Sequence, residues 1–277
     1  MKLTPISWAF CASAVISLSA CAQTAPATTP AALPELSVTR IECGTGITNE
    51  VGRFSDTFSM EGQKIPFVFS CYLIQHGNDY MLWDTGHALT AGAVAPKVSI
   101  VDQLAQLQLK PEQIKFVGIS HYHADHTGQV ASFPQATLLI GTGDWNVVTS
   151  PKPVGANPAV FAPWGSGGSK VDTVPLDKDV FGDGSVVMLT TPGHTPGHHS
   201  VLIRLKQMGN LLISGDLAHF HENYETNGVP SFNTSRAESL ASLERIKKMA
   251  AQLKATVILQ HDARDVGKLP AFPAGAK

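Results

Sequence analysis

The chain of 277 residues has no excess of positive charge, since 20 lysines and arginines stand against 22 aspartates and glutamates, for a formal net charge of −2. Proteins that bind a phosphate backbone usually present a basic surface, so the composition argues against a nucleic-acid partner. The Gly-rich segment at 165–168 lacks a following Lys-Ser/Thr pair, which argues against a phosphate-binding loop. No internal repeat is apparent, so a repeat architecture is not expected.

Cysteine is scarce, with four in the chain, of which Cys11 lies in an N-terminal targeting segment and Cys21 directly follows it. Lys2 precedes a mostly apolar stretch that is too short for a membrane span of about 20 residues. The stretch ends in LSAC at Cys21, which matches a bacterial lipobox. We therefore expect a lipoprotein signal peptide at 1–20, a lipid anchor on Cys21 and a flexible Ala/Thr/Pro-rich tether at 21–35. This predicts an outer-membrane-anchored lipoprotein facing the periplasm, with no other membrane attachment.

Two alternatives remain open for this part of the sequence. The segment also fits an ordinary secretory signal that is cut near Ala22 or Ala25. The remaining cysteines, Cys43 and Cys71, lie on two predicted strands, and an oxidising periplasm permits a disulfide between them. Two buried free thiols are the other possibility.

Metal-binding side chains are abundant by contrast. The sequence HYHADH at 121–126 holds three imidazoles and a carboxylate and is separated from the apolar run 116–119 only by Ser120. Neutral imidazole and carboxylate suit zinc, iron, manganese or cobalt. A structural zinc site is typically closed and rich in thiolates, and no cysteine lies near this segment. The pattern therefore favours a catalytic metal site.

Three further candidate ligands also follow predicted strands. The strand at 186–190 is followed by PGHTPGH at 192–198, whose third residue is His194. The strand at 211–214 is followed by Asp216, and the strand at 256–260 is followed by His261. A strand that ends in a loop can direct several side chains toward one point, so these residues are expected to meet.

The motifs HYHADH, PGHTPGH, SGD and QHD occur in the order typical of the metallo-β-lactamase superfamily, which the chain resembles from about Leu36 to its end. The resemblance implies an α/β fold, a four-layer αββα sandwich, in a catalytic domain at 36–277. It also implies two divalent metal ions, with zinc expected and iron, manganese or cobalt as alternatives. The first ion would be held by His121, His123 and His194, the second by Asp125, His126 and His261, with Asp216 bridging the two.

Within the superfamily, the chain is most similar to N-acyl homoserine lactonases. The β-lactam-hydrolysing branches generally lack a bridging carboxylate such as Asp216, whereas the lactonases have it and also have segments like 41–44, 69–74 and 222–225. The likeness implies a small acylated lactone as substrate, opened by a hydroxide that bridges the two metals. Asp125 would guide a proton to the leaving oxygen.

His219 departs from the lactonase pattern, which commonly has Tyr at this position, three residues after the bridging Asp. One interpretation makes His219 a hydrogen-bond donor or local acid near the substrate carbonyl. The other makes it an ordinary loop histidine.

Other functions of the same scaffold stay open at this point. The dinuclear site also suits phosphotriesters, aryl esters or β-lactams, and a similar histidine motif occurs in mononuclear iron sulfur dioxygenases. A cell-envelope binding protein with a purely structural metal fits less well. A carboxylate-bridged ligand set leaves open coordination positions, whereas a structural site is closed.

Several other residues have more than one interpretation. Asp84 either orients a metal ligand or forms a plain Asp-Gly turn. His198 and His199 are expected to bond within the core, while His76, His87 and His221 lack motif support and are interpreted as ordinary polar residues. Apolar residues in two loops are interpreted either as an acyl-chain groove or as anchors of the loops: Phe54, Phe58, Met60, Phe161, Ala162, Pro163 and Trp164.

Overall fold

The protein is represented by a computed structural model that describes residues 34–48, 50–165 and 167–277. The predicted signal peptide, the lipidation site at Cys21 and all of the tether except residues 34 and 35 lie outside the described residues. None of the helices in the described part has the length and apolar character needed to cross a bilayer.

The described residues form eleven strands and six α-helices. The strands are β1 (Leu36–Thr48), β2 (Ile65–His76), β3 (Asp79–Trp83), β4 (Ile114–Ile119), β5 (Thr137–Gly141), β6 (Val171–Val174), β7 (Lys178–Asp179), β8 (Val186–Thr190), β9 (His199–Leu205), β10 (Gly209–Ile213) and β11 (Thr256–Ile258). The helices are α1 (Ile100–Gln106), α2 (Ala124–Thr127), α3 (Thr142–Val148), α4 (Ala162–Gly165), α5 (His221–Thr226) and α6 (Arg236–Leu253), and short 3₁₀ turns include Val51–Phe54 and Gly215–Leu217.

The strands form two mixed sheets. The first has the order β1-β2-β3-β4-β5-β6, antiparallel from β1 to β3 and parallel from β3 to β6. The second has the order β11-β10-β9-β8-β7, in which the β10–β11 pair is parallel and the others are antiparallel. Parallel strands end at one edge, so the loops after β4 and β5 emerge side by side.

Alternating side chains divide the interior into three apolar layers. On β3, Met81 and Trp83 face the second sheet, whereas Leu82 faces α1 on the outer side. On β10, Leu211 and Ile213 face the first sheet and Leu212 faces α6. The period of two is expected for strands that are buried on both faces. The predicted four-layer αββα sandwich is confirmed.

Helices cover the outer faces of the two sheets, and α1 and α6 each begin at a serine N-cap. The Ser99 hydroxyl accepts the amide of Asp102 at the start of α1, and the Ser235 hydroxyl accepts that of Glu238 at the start of α6. Leu243 and Ile246 bury the inner face of α6 against the second sheet.

Cys43 and Cys71 form a disulfide between β1 and β2. Both residues are fully buried in the layer beneath α1. Of the two possibilities left by the sequence, the structure therefore has the bridge rather than two free thiols.

Replacing Ile203 in the layer between the sheets tests the sandwich. Ile203 is fully buried on β9, so Ile203→Ala is expected to lower the free energy of unfolding by about 2–5 kcal/mol. Leu176→Ala is the control, because Leu176 is 69% exposed and its loss should change stability by about 0.5 kcal/mol or less. Urea unfolding of both variants measures the difference, and equal effects would contradict this placement of Ile203.

Candidate metal centre

Four loops bring the seven predicted ligands together, and each loop follows a buried strand. The HYHADH segment follows β4, His194 follows β8, Asp216 follows β10 and His261 follows β11. The first loop turns into the short helix α2, which begins after His123 and carries Asp125 and His126. Strand ends from both sheets thus surround one point, as the sequence predicts.

The seven side chains fall into two groups that share one residue. His121, His123, His194 and Asp216 form the first group, and Asp125, His126, Asp216 and His261 the second; in each group the potential ligand atoms lie within 4.8 Å of one another. Only Asp125 and His123 are partly exposed.

Asp216 faces both groups with different oxygens. Its Oδ1 lies 3.1 Å from His126 Nε2 and 2.8 Å from His261 Nε2. Its Oδ2 lies 3.3 Å from His194 Nε2 and 3.6 Å from His121 Nε2. A carboxylate placed in this way can bind one cation through each oxygen.

Hydrogen bonds on the outer side of the rings decide which nitrogen faces inward. Nδ1–H of His126 donates to Asp84 Oδ2 (2.8 Å), that of His261 to the carbonyl of Val68 (2.9 Å) and that of His194 to Asn233 Oδ1 (2.8 Å). A neutral imidazole has one N–H and one lone pair, so Nε2 of each ring presents its lone pair to the centre. This is the arrangement expected around metal ligands.

The inward nitrogens of the five rings approach one another closely. His123 Nδ1 lies 2.8 Å from His121 Nε2 and 3.0 Å from His194 Nε2, and the Nε2 atoms of His126 and His261 are 3.2 Å apart. Converging lone pairs repel in a buried site unless a cation lies among them. The residues therefore fit the two divalent ions that the fold family implies.

The two ligand groups differ in how strongly their surroundings favour a positive charge on a histidine ring. Burial lowers the pKa of His121 well below its usual value and that of His123 to about 4. Burial also opposes a charge on His126, but Asp216, Asp125 and Asp84 hold its pKa well above the usual value. Burial thus disfavours a positive charge on His121 and His123, while the carboxylates around His126 favour one there.

Asp84 accepts hydrogen bonds from the loop that follows β4 and from the loop that follows β11. Its fully buried carboxylate accepts the amide and hydroxyl of Ser120 (2.7 and 2.8 Å), Nδ1–H of His126 and the side-chain amide of Gln260 (2.7 Å). Of the two interpretations from sequence, the contact confirms that Asp84 orients a predicted ligand.

His198 stays outside the two groups, as predicted, and holds the backbone of Asp216. Its Nε2 accepts the Asp216 amide at 2.9 Å, so Nδ1 carries the proton and donates to the carbonyl of Thr191 at 3.0 Å. His199 donates Nδ1–H to the carbonyl of Gly197 at 2.8 Å. Both histidines bond within the core.

His219 lies in the centre rather than on the surface. Its Nε2 is 3.0 Å from Asp216 Oδ2, and its ring is 2% exposed among Phe54, Phe67 and Phe232. Burial lowers its pKa to about 4, against the opposing effect of Asp216. His219 is therefore a buried loop residue beside Asp216, and its role in a reaction stays a prediction.

Asp144 was not predicted, although it joins the two loops that carry the first group. Its Oδ1 accepts the amide of Gly197 (2.6 Å), and its Oδ2 accepts the hydroxyl of Thr195 (2.9 Å) and the amide of Tyr122 (3.1 Å). Burial raises its pKa to about 7, against the lowering effect of Thr195 and Gly197.

Glycines allow the close contact on which Asp144 depends. A Cβ on Gly141 would lie 1.8 Å from the carbonyl oxygen of Gly197, and one on Gly143 would lie 2.7 Å from the backbone of Pro196. The sequence signal for this contact is the Gly-x-Gly-Asp run at 141–144, which begins on the last residue of β5 at the same strand edge as HYHADH.

A cavity of about 550 Å³ opens beside the second group. Asp125 and His87 lie in its wall together with the aromatic rings of Phe54, Phe67 and Phe69. The sequence interpretation of His87 as an ordinary polar residue therefore overlooked a cavity position. His76 and His221 instead pair with Asp183 and Asp265, each at 2.7 Å.

The apolar loop residues divide between the two proposed roles. Phe54 lines the cavity, whereas Met60, Phe161 and Trp164 are buried anchors. Phe58 is exposed. The groove and anchor interpretations are thus each correct for part of the set.

Comparison with known proteins identifies a family. The family model described as the metallo-beta-lactamase superfamily matches residues 66–261. The chain is 31% identical to an N-acyl homoserine lactonase, AttM, of Rhizobium radiobacter over 220 residues, which is 72% of this chain and 82% of the relative. An N-acyl homoserine lactonase of a Bacillus species is 27% identical over 235 residues, covering 76% and 88% of the two chains.

Solved structures share the fold. A quorum-quenching N-acyl homoserine lactone lactonase superimposes with a TM-score of 0.75 at 22% identity, covering 88% of this chain and 99% of the other. AidC, a dizinc quorum-quenching lactonase, has a TM-score of 0.67 at 19% identity, covering 88% and 90%.

Replacing Asp144 tests whether it holds the first ligand group in place. Asp144→Asn keeps the size of the side chain but replaces one of the two accepting oxygens with an NH2 group, which cannot accept either the Gly197 amide or the Tyr122 and Thr195 donors. We expect zinc affinity to fall about tenfold and unfolding free energy by about 1–3 kcal/mol, measured by chelator competition and thermal unfolding. Asp79→Asn is the control, because Asp79 pairs with Lys115 at the surface. Equal zinc affinity in the two variants would contradict the role of Asp144.

Proposed function

The chain belongs to the metallo-β-lactamase superfamily, and from this premise we propose that it is a two-metal hydrolase that opens the ring of N-acyl homoserine lactones and related lactones or esters. Relatives named N-acyl homoserine lactonases support the substrate class. The observation that carries the proposal is Asp216, whose two oxygens face two separate groups of buried ligands. A site for one ion does not need a shared carboxylate of this kind, which disfavours the mononuclear oxygenase alternative.

Zinc is the metal we propose for both positions. The first ion would be held by His121, His123 and His194, the second by Asp125, His126 and His261, and both by Asp216. A set of imidazoles and carboxylates without thiolates suits zinc and also iron, manganese or cobalt. When bound, two such ions supply a water of lowered pKa and stabilise negative charge on the reacting oxygens.

The protein's own residues would position the substrate and move the proton. Asp125 lies in the wall of the cavity and in the second group, with its side chain 21% exposed, so its carboxylate would face both a water at the metal centre and the leaving oxygen of a substrate in the cavity. We assign it the transfer of the proton to that oxygen. The rings of Phe54, Phe67 and Phe69 exclude water and offer an apolar surface to an acyl chain.

His219 would act next to the reacting carbonyl. Its ring is held among aromatic side chains and its Nε2 faces Asp216 Oδ2, so a donor is fixed at the edge of the first group. We assign His219 the role of a hydrogen-bond donor to charge that develops on the substrate oxygen.

Export and lipid anchoring are a further part of the proposal. The lipobox at Cys21 and the Ala/Thr/Pro-rich segment after it support an outer-membrane lipoprotein whose catalytic domain is tethered in the periplasm. An oxidising compartment agrees with the disulfide between Cys43 and Cys71.

A substrate panel with metal analysis tests the function. We expect two zinc ions per chain and turnover of N-hexanoyl-homoserine lactone well above that of a chromogenic β-lactam, a phosphotriester or an aryl ester. Chelation should abolish turnover and added zinc should restore it, which is the internal control. One iron per chain with oxygen consumption would contradict the proposal, as would a phosphotriester or β-lactam as the best substrate.

Removing the donor of His219 tests its role. His219→Phe keeps an aromatic ring in the pocket, so the metal content should be unchanged while kcat for lactone opening falls about 100-fold. Elemental analysis and steady-state kinetics measure the two quantities. Unchanged turnover would show that His219 has no part in the reaction.

A further inference from the structure

His87 is held rigidly at the wall of the cavity. Its amide donates to the carbonyl of Cys43 at 3.3 Å, and its carbonyl accepts the side-chain amide of Gln129 at 3.0 Å. Gly86 before it has φ +60°, and a Cβ there would lie 2.3 Å from that of Cys43. The turn is thus fixed between the disulfide-bonded strand β1 and the loop that carries HYHADH.

The ring of His87 has hydrogen-bonding capacity that the described residues leave unused. It packs edge-on against Phe69 at 4.3 Å, and neither ring nitrogen has a hydrogen-bond partner among the described side chains and backbone groups. Burial lowers its pKa, against the opposing effect of Asp125, so the ring is neutral at pH 7. It therefore offers one N–H donor and one acceptor to the cavity.

The position of His87 along the cavity determines what it can meet. Phe69 lies between it and the second ligand group, with ring centroids 5.2 Å from His261 and 4.3 Å from His87. If a lactone carbonyl lay at Asp216 and an acyl chain extended into this cavity, the atoms that join the ring to the chain would enter it beside Asp125, in the wall that also holds His87. In an acylated homoserine lactone, those atoms are an amide.

We propose that His87 is a specificity residue that hydrogen-bonds to the amide joining the lactone ring to the acyl chain. The inference rests on the proposed function and goes beyond it, because it says how the protein distinguishes an N-acyl lactone from a simple alkyl lactone of similar length. A histidine that merely fills space against Phe69 would not distinguish the two.

The test compares two substrates in the metal-loaded, full-length protein. N-hexanoyl-homoserine lactone carries the amide, and γ-decalactone carries a ring and an alkyl chain without it. His87→Phe and His87→Leu are two apolar replacements of different shape, and His87→Gln keeps a donor and an acceptor. His76→Phe is the matched control, because His76 lies at the far end of β2 and pairs with Asp183.

We expect the ratio of kcat/KM for the amide substrate to that for γ-decalactone to fall about tenfold in both apolar variants, mainly through KM. His87→Gln should recover most of the ratio, and His76→Phe should leave it at the wild-type value. The inhibition constant of the ring-opened product, N-hexanoyl-homoserine, should rise by the same factor in the apolar variants.

Two outcomes would overturn the inference and are distinguishable. In the first outcome, the wild-type protein opens lactones, but the apolar variants keep the wild-type ratio or lose activity on both substrates equally. His87 then does not recognise the amide, and the proposed function stands. If the wild-type protein opens neither lactone, the proposed function fails and the role of His87 fails with it.

Discussion

The site depends on a cluster of side chains whose lone pairs point toward one another around the buried carboxylate of Asp216. Five imidazoles and the carboxylates of Asp125 and Asp216 direct acceptors toward two points, with nitrogens as close as 2.8 Å. Without positive charge, such a cluster would cost several kcal/mol in desolvation and repulsion. The fold must therefore hold these groups against their mutual repulsion, and the surrounding hydrogen bonds are arranged to do so.

Those hydrogen bonds link the two sheets beneath the site. Gln260, after β11 of the second sheet, donates its side-chain amide to the carbonyl of Ser70 on β2 of the first and to Asp84. The Asp84 carboxylate also accepts a hydrogen bond from Nδ1–H of His126, and Nε2 of His198 accepts one from the backbone amide of Asp216. Asp144 supplies the same kind of link between the loops of His121 and His194. Each ligand loop is thus tied to another loop rather than only to its own strand, so movement of one loop would disturb ligands from both sheets.

The sequence predicts the parts of this structure that are local. The seven ligands were predicted from motifs that each follow a strand and from the resemblance to the metallo-β-lactamase superfamily, which also implied the αββα layers. Asp144 was missed because its partners lie 22 to 53 residues away and its function appears only when β5 ends beside the loop of Gly197. His87 was missed for a related reason, since nothing in the turn itself shows that a cavity lies in front of it.

Metal binding and substrate recognition use different elements, and this separation has a physical consequence. The ligands come from the ends of β4, β8, β10 and β11, whereas much of the cavity wall comes from β1, the 3₁₀ turn Val51–Phe54, β2 and the turn of His87. Phe67 and Phe69 connect the two, because each ring packs on His261 while facing the cavity. Changes in the wall that spare Asp125 and these two rings leave the lone-pair cluster and its supporting hydrogen bonds intact. Substrate preference can therefore vary over the wall while the same seven ligands are kept, which explains why the motifs identify the metal site more sharply than the substrate.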